Sequence, residues 1–243
     1  MKVYIVGTSC TWFKRNNTSF ILDDKILFDV PFGNYKEIIK KVDLFDIKSI
    51  YISHFHSDHF SDLQIITTRF MREAEKRGIT EKLKVYGPKG TLDHLIEFNT
   101  IICGAPDEKD RESLTKMIDF VEVGDADEFE DCGYKVKVYQ VDHGHMYCQG
   151  YTFTDERGVT VGFSSDTKAC EALNQMIEKS NVAFVDMASV NPHHSHLDVG
   201  AFLDLTKKYK NCKMIPVHTS DESQKFAEES GLNVVYDGQE VII

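Results

Sequence analysis

A chain of 243 residues with 42% hydrophobic content can bury a sizeable core, and its composition is compatible with one domain spanning 1–243. The formal charge of −11, from 39 acidic and 28 basic residues, has the wrong sign for gripping a long polyanion, because neutralising phosphates calls for basic surface. No apolar run approaches the roughly eighteen residues of a membrane span, and the six cysteines form no C-x-x-C pair, which excludes a zinc ribbon or a dithiol motif. A protein in a cytoplasm with reduced thiols, making no membrane contact, is the expectation.

The N-terminus, Met1 to Thr8, reads as a strand rather than a cleavable signal. Residues 2 to 7, 18 to 22 and 25 to 29 are predicted strands, the last two joined by a hairpin at Asp23-Asp24. Trp12 and Phe13 fall in the loop between the first two, where an aromatic pair could stack on a base. Tyr35 to Val42 carries the pattern of a short amphipathic helix. Ser49 to Ser53 has the β-branched and aromatic character of a buried strand.

That strand runs into His54-Phe55-His56-Ser57-Asp58-His59, with a helix starting at Asp58. His54 and His56, two apart on extended chain, point the same way. Beyond the turn at Ser57, Asp58 and His59 can face a second point nearby. Nitrogen and oxygen donors of this kind suit zinc, manganese or iron, and the pattern asks for two ions. A lone loop histidine would mean little; the density of donors at this spacing is what argues for a metal site.

Leu63 to Arg77 has helical periodicity and a stop at Gly78. Leu83 to Tyr86 reads as a strand, Gly87-Pro88-Lys89-Gly90 as a turn, and a helix follows from about Thr91. In 99 to 120, the least regular stretch, a loop at Gly104-Ala105-Pro106 leads to a predicted short helix at Ser113 to Phe120. Lys135 to Val141 is a strand that delivers Asp142-His143-Gly144-His145. Tyr151 to Phe153 and Val159 to Phe163 form a hairpin that delivers Ser165-Asp166-Thr167.

A helix at Ala169 to Lys179, a strand at Val182 to Val185 ending in Asp186, and a helix at Val199 to Tyr209 come next. Lys213 to Val217 is a strand ending at His218, followed by a helix at Glu222 to Ser230 and strand residues Val234-Val235 and Val241-Ile242. Hairpins first and helix-strand alternation later predict an α/β fold of the αββα sandwich kind: two packed mixed β-sheets with helices on the outer faces. Metal-binding residue types recur at the strand ends.

The run His54 to His59, H-x-H-x-D-H, resembles the signature of the metallo-β-lactamase fold superfamily. The Gly7-Thr8 turn, the Ile26-Leu27-Phe28-Asp29 strand end, Gly87-Pro88-Lys89-Gly90, Asp142-His143 ahead of Gly150-Tyr151, Ser165-Asp166-Thr167 and Val217-His218-Thr219 are similar to its ribonuclease Z-like and phosphodiesterase branch. Val30-Pro31 departs from the glycine-containing sequence often found after that aspartate.

The resemblance implies that His54, His56 and His143 hold one metal, Asp58, His59 and His218 the other, and Asp166 bridges. Two divalent ions are expected, zinc first, with manganese or iron as alternatives. His145 competes with His143 for its place; His143 is preferred because it follows its strand directly. In Asn191-Pro192-His193-His194-Ser195-His196-Leu197-Asp198, the resemblance makes His196 the residue that binds the phosphate or protonates the leaving oxygen. The duller alternative is a helix-entry loop capped by Asp198. Asp186 resembles an aspartate that orients a ligand histidine, with a capped strand end as the alternative.

The implied activity is a dinuclear metal-dependent hydrolase with Asp58 and His196 as catalytic residues and a hydroxide between the ions as nucleophile. A phosphodiesterase acting on a small phosphodiester such as a cyclic nucleotide is favoured by the acidic chain. The alternatives are a tRNA 3′-processing endonuclease of ribonuclease Z type, acting on RNA, and a thioester, lactone or β-lactam hydrolase. A metal-binding sensor module without turnover is the alternative of another class. The resemblance also implies a homodimer.

Overall fold

Hairpins and crossovers sort the strands into two sheets, in a computed structural model that describes residues 1–11, 13–104 and 107–243. The first sheet takes β1 (Lys2–Gly7), β2 (Ser19–Leu22), β3 (Ile26–Phe28), β4 (Ser49–Tyr51), β5 (Leu83–Gly87) and β6 (Ile118–Glu122) in that spatial order. The second comprises β7 (Glu128–Asp131), β8 (Tyr134–His143), β9 (Met146–Thr154), β10 (Thr160–Phe163), β11 (Val182–Asp186) and β12 (Lys213–Val217). The final strand, β13 (Glu240–Ile242), returns to the first sheet beside β1.

Both sheets are mixed. β3 to β6 run parallel, as do β10 to β12, and the pairs formed early in each sheet are antiparallel. The β2–β3 hairpin turns on Asp23 and Asp24, both left-handed at φ 48° and 57°, a conformation aspartate tolerates better than most residues.

The alternation of side chains along each strand assigns the layers. Between the sheets, Phe20, Phe28 and Tyr51 meet Tyr151, Phe153, Phe163 and Phe184, with Phe163 stacked on Phe184 at 5.2 Å and on Phe28 at 5.1 Å. Burying each of these rings contributes on the order of 2–3 kcal/mol. The opposite face of the first sheet, with Leu27, Ile50 and Val85, packs under α1 (Tyr35–Lys41), α2 (Ser57–Phe60), α3 (Leu63–Arg77), α4 (Thr91–Cys103) and α5 (Asp107–Met117). Ala183, Val185 and Met214 of the second sheet pack under α6 (Glu171–Lys179), α7 (Val199–Lys208) and α8 (Asp221–Glu229). The result is the expected αββα sandwich.

Helix α3 has the predicted bounds and stops at Gly78, whose φ of 65° lets its amide reach back to the last turn. Asp198 caps α7, accepting from Ala201 N at 3.1 Å. The structure departs from the sequence expectation in 99 to 131. The predicted helix at Ser113 to Phe120 is instead the end of α5 followed by strand β6, which pairs in parallel with β5 through Leu83–Ile118 and its successors. Only Ile118 of β6 is buried, so no alternation announced it.

Strand β7, Glu-Phe-Glu-Asp, was missed because its charge hides a strand that exists through pairing with β8. Strand β9 begins at Met146, earlier than predicted, and Val234-Val235 is not a strand. Ala105 and Pro106 of the predicted loop, and Trp12 of the aromatic pair, lie outside the described residues. All six cysteines are unpaired. Among the described residues no helix is long and apolar enough to cross a membrane.

Candidate metal centre

The strands of both sheets deliver polar residues to one rim of the sandwich. His54 and His56 follow β4, His143 ends β8, Asp166 follows β10, Asp186 ends β11 and His218 follows β12. Three of the residues here that are not glycine hold left-handed backbone: Asp29 at φ 50°, Ser165 at 55° and His218 at 54°. Each such conformation costs on the order of 1–2 kcal/mol and persists where the surroundings over-determine it. The continuation of β1 ties the rim together: Cys10 N donates to Thr219 O at 3.2 Å and Thr219 N to Thr8 O at 3.0 Å, fixing the turn that carries His218.

Close approach of two strands holds the Asp166 turn as well. A Cβ on Gly150 of β9 would stand 2.8 Å from Phe163 O and 3.0 Å from Ser164 O, so only glycine lets the strands lie this near.

The predicted donors converge. One group is His54, His56, His143 and Asp166; a second is Asp58, His59 and His218; each group has its donor atoms within 4.8 Å of one another. Asp166 reaches both, with Oδ2 3.7 Å from His54 Nε2, 3.7 Å from His143 Nε2 and 3.3 Å from His218 Nε2, and Oδ1 3.2 Å from His59 Nε2. His145 stays apart, exposed in the tight turn between His143 and Met146. His196 joins Asp166 and His218 in a third grouping.

Neighbouring groups dictate which ring nitrogen carries the lone pair. His143 Nδ1 donates to Ser195 O at 2.9 Å, and a carbonyl can only accept. His59 Nδ1 donates to Asp29 Oδ2 at 2.7 Å. Ser53 Oγ gives its proton to Asp29 Oδ2 at 2.7 Å and so accepts from His54 Nδ1 at 3.0 Å. In each neutral ring the lone pair therefore falls on Nε2, turned towards the other donors. Buried Asp29 thus orients one histidine from each group, His59 directly and His54 through Ser53.

These residues fit divalent cations. His56 Nδ1 lies 3.0 Å from His54 Nε2 and 3.3 Å from His143 Nε2, so three ring nitrogens crowd one point where His56 has at most one Nδ1 proton to share between two acceptors. About 3.3 Å is the donor-to-donor edge of a tetrahedron around zinc at its usual ~2.0–2.1 Å bond length. His59 Nε2 and Asp166 Oδ1, 3.2 Å apart, have no neighbour to bond but each other, and His218 Nδ1 is buried without a hydrogen-bond partner.

The titration of the groups tells the same story. Burial pushes Asp166 up, but His218, His59 and His54 outweigh it and hold the carboxyl well below its usual range. Burial pushes His59 down, yet Asp166 and Asp29 raise it well above the ordinary imidazole value. His54 falls well below that value, chiefly by burial and then by its positive neighbour His59. The cavity wants positive charge and has few places to put it.

Asp186 caps the strand end, the duller of its two expected roles, and the histidine it bonds is not one of the predicted ligands. Its Oδ2 accepts from His196 Nδ1 at 2.9 Å and from Thr167 N at 2.9 Å, and its Oδ1 from Ala188 N at 2.9 Å. It caps the strand end and orients His196 rather than a residue of the two main donor groups. Burial lowers His196, and Asp186 with Asp166 more than reverses this, to about 9.

Sequence reasoning gave no role to Asp29, Ser53, Thr11 or Ser195. Thr11 Oγ1 donates to Asp58 Oδ2. Asp29 and Ser53 stood in recognised motifs, whereas the Ser195 carbonyl leaves no trace in a sequence.

The family described as Beta-lactamase superfamily domain matches residues 26–219. The chain belongs to the metallo-β-lactamase superfamily. Among the relatives of this superfamily member, ribonuclease Z of Methanosarcina mazei is 28% identical over 152 residues, covering 59% of the chain and 45% of the relative. The chain spans less than half the length of the ribonuclease Z relatives first matched. Its fold is shared with the metallo-beta-lactamase fold protein YhfI from Bacillus subtilis, at TM-score 0.78 and 13% identity over 99% of the chain and 98% of that protein. Human tRNase Z, short form, superposes at TM-score 0.75 with 17% identity over 100% of the chain and 99% of that protein.

Proposed function

We propose that this superfamily member is a dinuclear metal-dependent phosphodiesterase acting on a small phosphodiester such as a cyclic nucleotide. The observation that carries the proposal is Asp166, whose Oδ2 lies 3.7 Å from His54 and His143 of one group and 3.3 Å from His218 of the other, while its Oδ1 lies 3.2 Å from His59. His54, His56 and His143 would hold one ion, Asp58, His59 and His218 the other, with Asp166 between them; zinc suits this donor set best, manganese or iron next. Bound there, such ions bring water's acidity near neutral pH and offset charge that develops on a phosphoryl oxygen.

The protein's own groups do the rest. Asp29 and Ser53 fix the rings of His59 and His54, and Ser195 O fixes His143, so the donors need no reorganisation. Thr11 steadies the carboxylate of Asp58. Asp186 engages His196 Nδ1, which leaves Nε2 as the atom that binds the phosphate oxygen or hands a proton to the leaving oxygen. Such a donor matters more for an alkoxide than for a good leaving group.

A tRNA-processing role is the second reading, favoured by relatives named ribonuclease Z. The charge of −11 weighs against it, because RNA affinity is carried by basic surface. The deciding measurement offers bis-p-nitrophenyl phosphate, cyclic nucleotides, a dinucleotide, a precursor tRNA, a thioester, a lactone and a β-lactam to zinc- or manganese-loaded protein. Turnover of the small phosphodiesters above the others is expected. Preference for the precursor tRNA would establish the second reading, and turnover of thioester, lactone or β-lactam alone would make this another hydrolase on the same fold. Two bound ions with no turnover on any substrate would leave a sensor module.

A further inference from the structure

Beside Asp58 the loops of the first sheet leave a recess of about 600 Å³, within the range of small-molecule sites and too small for a duplex. It is lined by phenylalanines from separate parts of the chain. Phe13 comes from the β1–β2 loop, Phe32 from the loop after β3 and Phe98 from α4. Phe13 is 38% exposed and Phe32 73%, so two large rings face solvent at one opening that reaches a candidate metal ligand. A scattered exposed ring is ordinary; rings gathered around a recess beside a reactive centre are not.

The walls are held in place by the backbone. Phe32 N donates to Ser57 O at 3.3 Å, and Asn34 Nδ2 donates to Asn17 O at 2.7 Å. Arg15 anchors the loop that carries Phe13, its guanidinium donating to Thr219 O at 2.9 Å. Polar capacity inside is small and adaptable: the Asn17 amide makes one long bond, 3.5 Å to Phe32 O, which the edge of a heterocycle could replace. On the other flank of the motif, the recess beside Phe55 and Tyr147 measures about 360 Å³, and the one beside His143, about 540 Å³, is lined by no phenylalanine, so an aromatic substituent belongs on the Asp58 side.

We propose that the Asp58-side recess receives one planar aromatic ring of nucleobase size, carried by the phosphodiester whose phosphate lies at the paired metal centre. This rests on the hydrolytic reading above and narrows its substrate class to nucleotides. Phe13 and Phe32 supply the stacking faces and Asn17 reads the ring edge. Stacking of a base on an aromatic side chain is sequence-tolerant, so the ring matters more than which base it is.

The test is binding of adenosine 5′-monophosphate against ribose 5-phosphate to metal-loaded protein by calorimetry, in the wild type, Phe13→Ala and Phe32→Ala. The expected result is about tenfold tighter binding of the nucleotide in the wild type, the order that one stacked base supplies. Each substitution should shrink that preference about fivefold or more, with ribose 5-phosphate affinity and metal content unchanged. Equal affinity for the two ligands, failure of both to bind, or a preference that survives both substitutions would overturn the assignment. Turnover of bis-p-nitrophenyl phosphate is measured in parallel. Its absence beside an intact nucleotide preference would remove the hydrolytic reading and keep the ring site; its presence without that preference would remove the ring site alone.

Discussion

Asp131, the last residue of β7, lies against the start of β4, is 4% exposed and gathers Ser49 Oγ, Tyr51 Oη at 3.0 Å, Tyr86 Oη at 3.2 Å and Lys84 Nζ at 3.2 Å. Just past the end of the same strand, Asp166 is 2% exposed and gathers imidazoles at 3.2–3.7 Å. Both are carboxylates buried between sheets. Around Asp131 every neighbour is a donor with a proton to give, one of them cationic, and the cluster closes on itself. Around Asp166 the rings of His54, His59 and His143 spend their Nδ1 protons elsewhere and turn Nε2 inward, and His218 Nδ1 is buried without a partner.

A buried polar cluster that satisfies itself is a structural link; one that its own chemistry leaves open is built for something the chain does not contain. Substitutions at the two ends of β4 should therefore separate function from stability. The largest effect is expected from Asp166→Ala, which removes the group common to both clusters: kcat/KM on a phosphodiester should fall at least ~10³-fold, and metal content by elemental analysis should drop by one or both ions. Unchanged metal content would mean the open cluster is not a metal site. Chelation of the wild type should lower Tm markedly, since a ligand that binds only the folded state stabilises it.

Next comes His196→Ala, expected to reduce kcat by about 10²-fold or more on an alkyl phosphodiester and much less on a p-nitrophenyl ester, with metal content preserved. An equal loss on both substrates would remove His196 from leaving-group protonation. Asp131→Ala should invert the pattern: urea unfolding should show a loss of about 2–4 kcal/mol, because the hydroxyls of Ser49, Tyr51 and Tyr86 lose their shared acceptor, while kcat and metal content hold. Lys84 contributes little to that figure, its side chain being 47% exposed and screened by water. The smallest change, about 1 kcal/mol by the same measurement, is expected for Tyr86→Phe, which removes one of the several donors to Asp131.

How much of this was legible beforehand varied with the physics of each element. Helix α3 could be read because its apolar face repeats at helical spacing and Gly78 ends it. The donors His54, His56, Asp58 and His59 stood together in one loop, and His143, Asp166 and His218 were found where strands of apolar residues ended. Strands β6 and β7 could not be read. One buries only Ile118 and the other is mostly acidic, so what makes them strands is the partner beside them.

Local pattern is written in the order of residues; partnership across the fold is not. The sequence by itself determined which residues could bind metal, which strand ends would carry them, and that helices would cover two sheets, because side-chain chemistry and periodicity are local properties. Only the tertiary structure brought His143 rather than His145 in among the other donors, by closing a hairpin turn at Gly144-His145 that leaves His145 in solvent. It also gave Asp29 a histidine from each donor group and Asp186 the ring of His196, since the lone pair of an imidazole is directed by a hydrogen bond from residues far away along the chain.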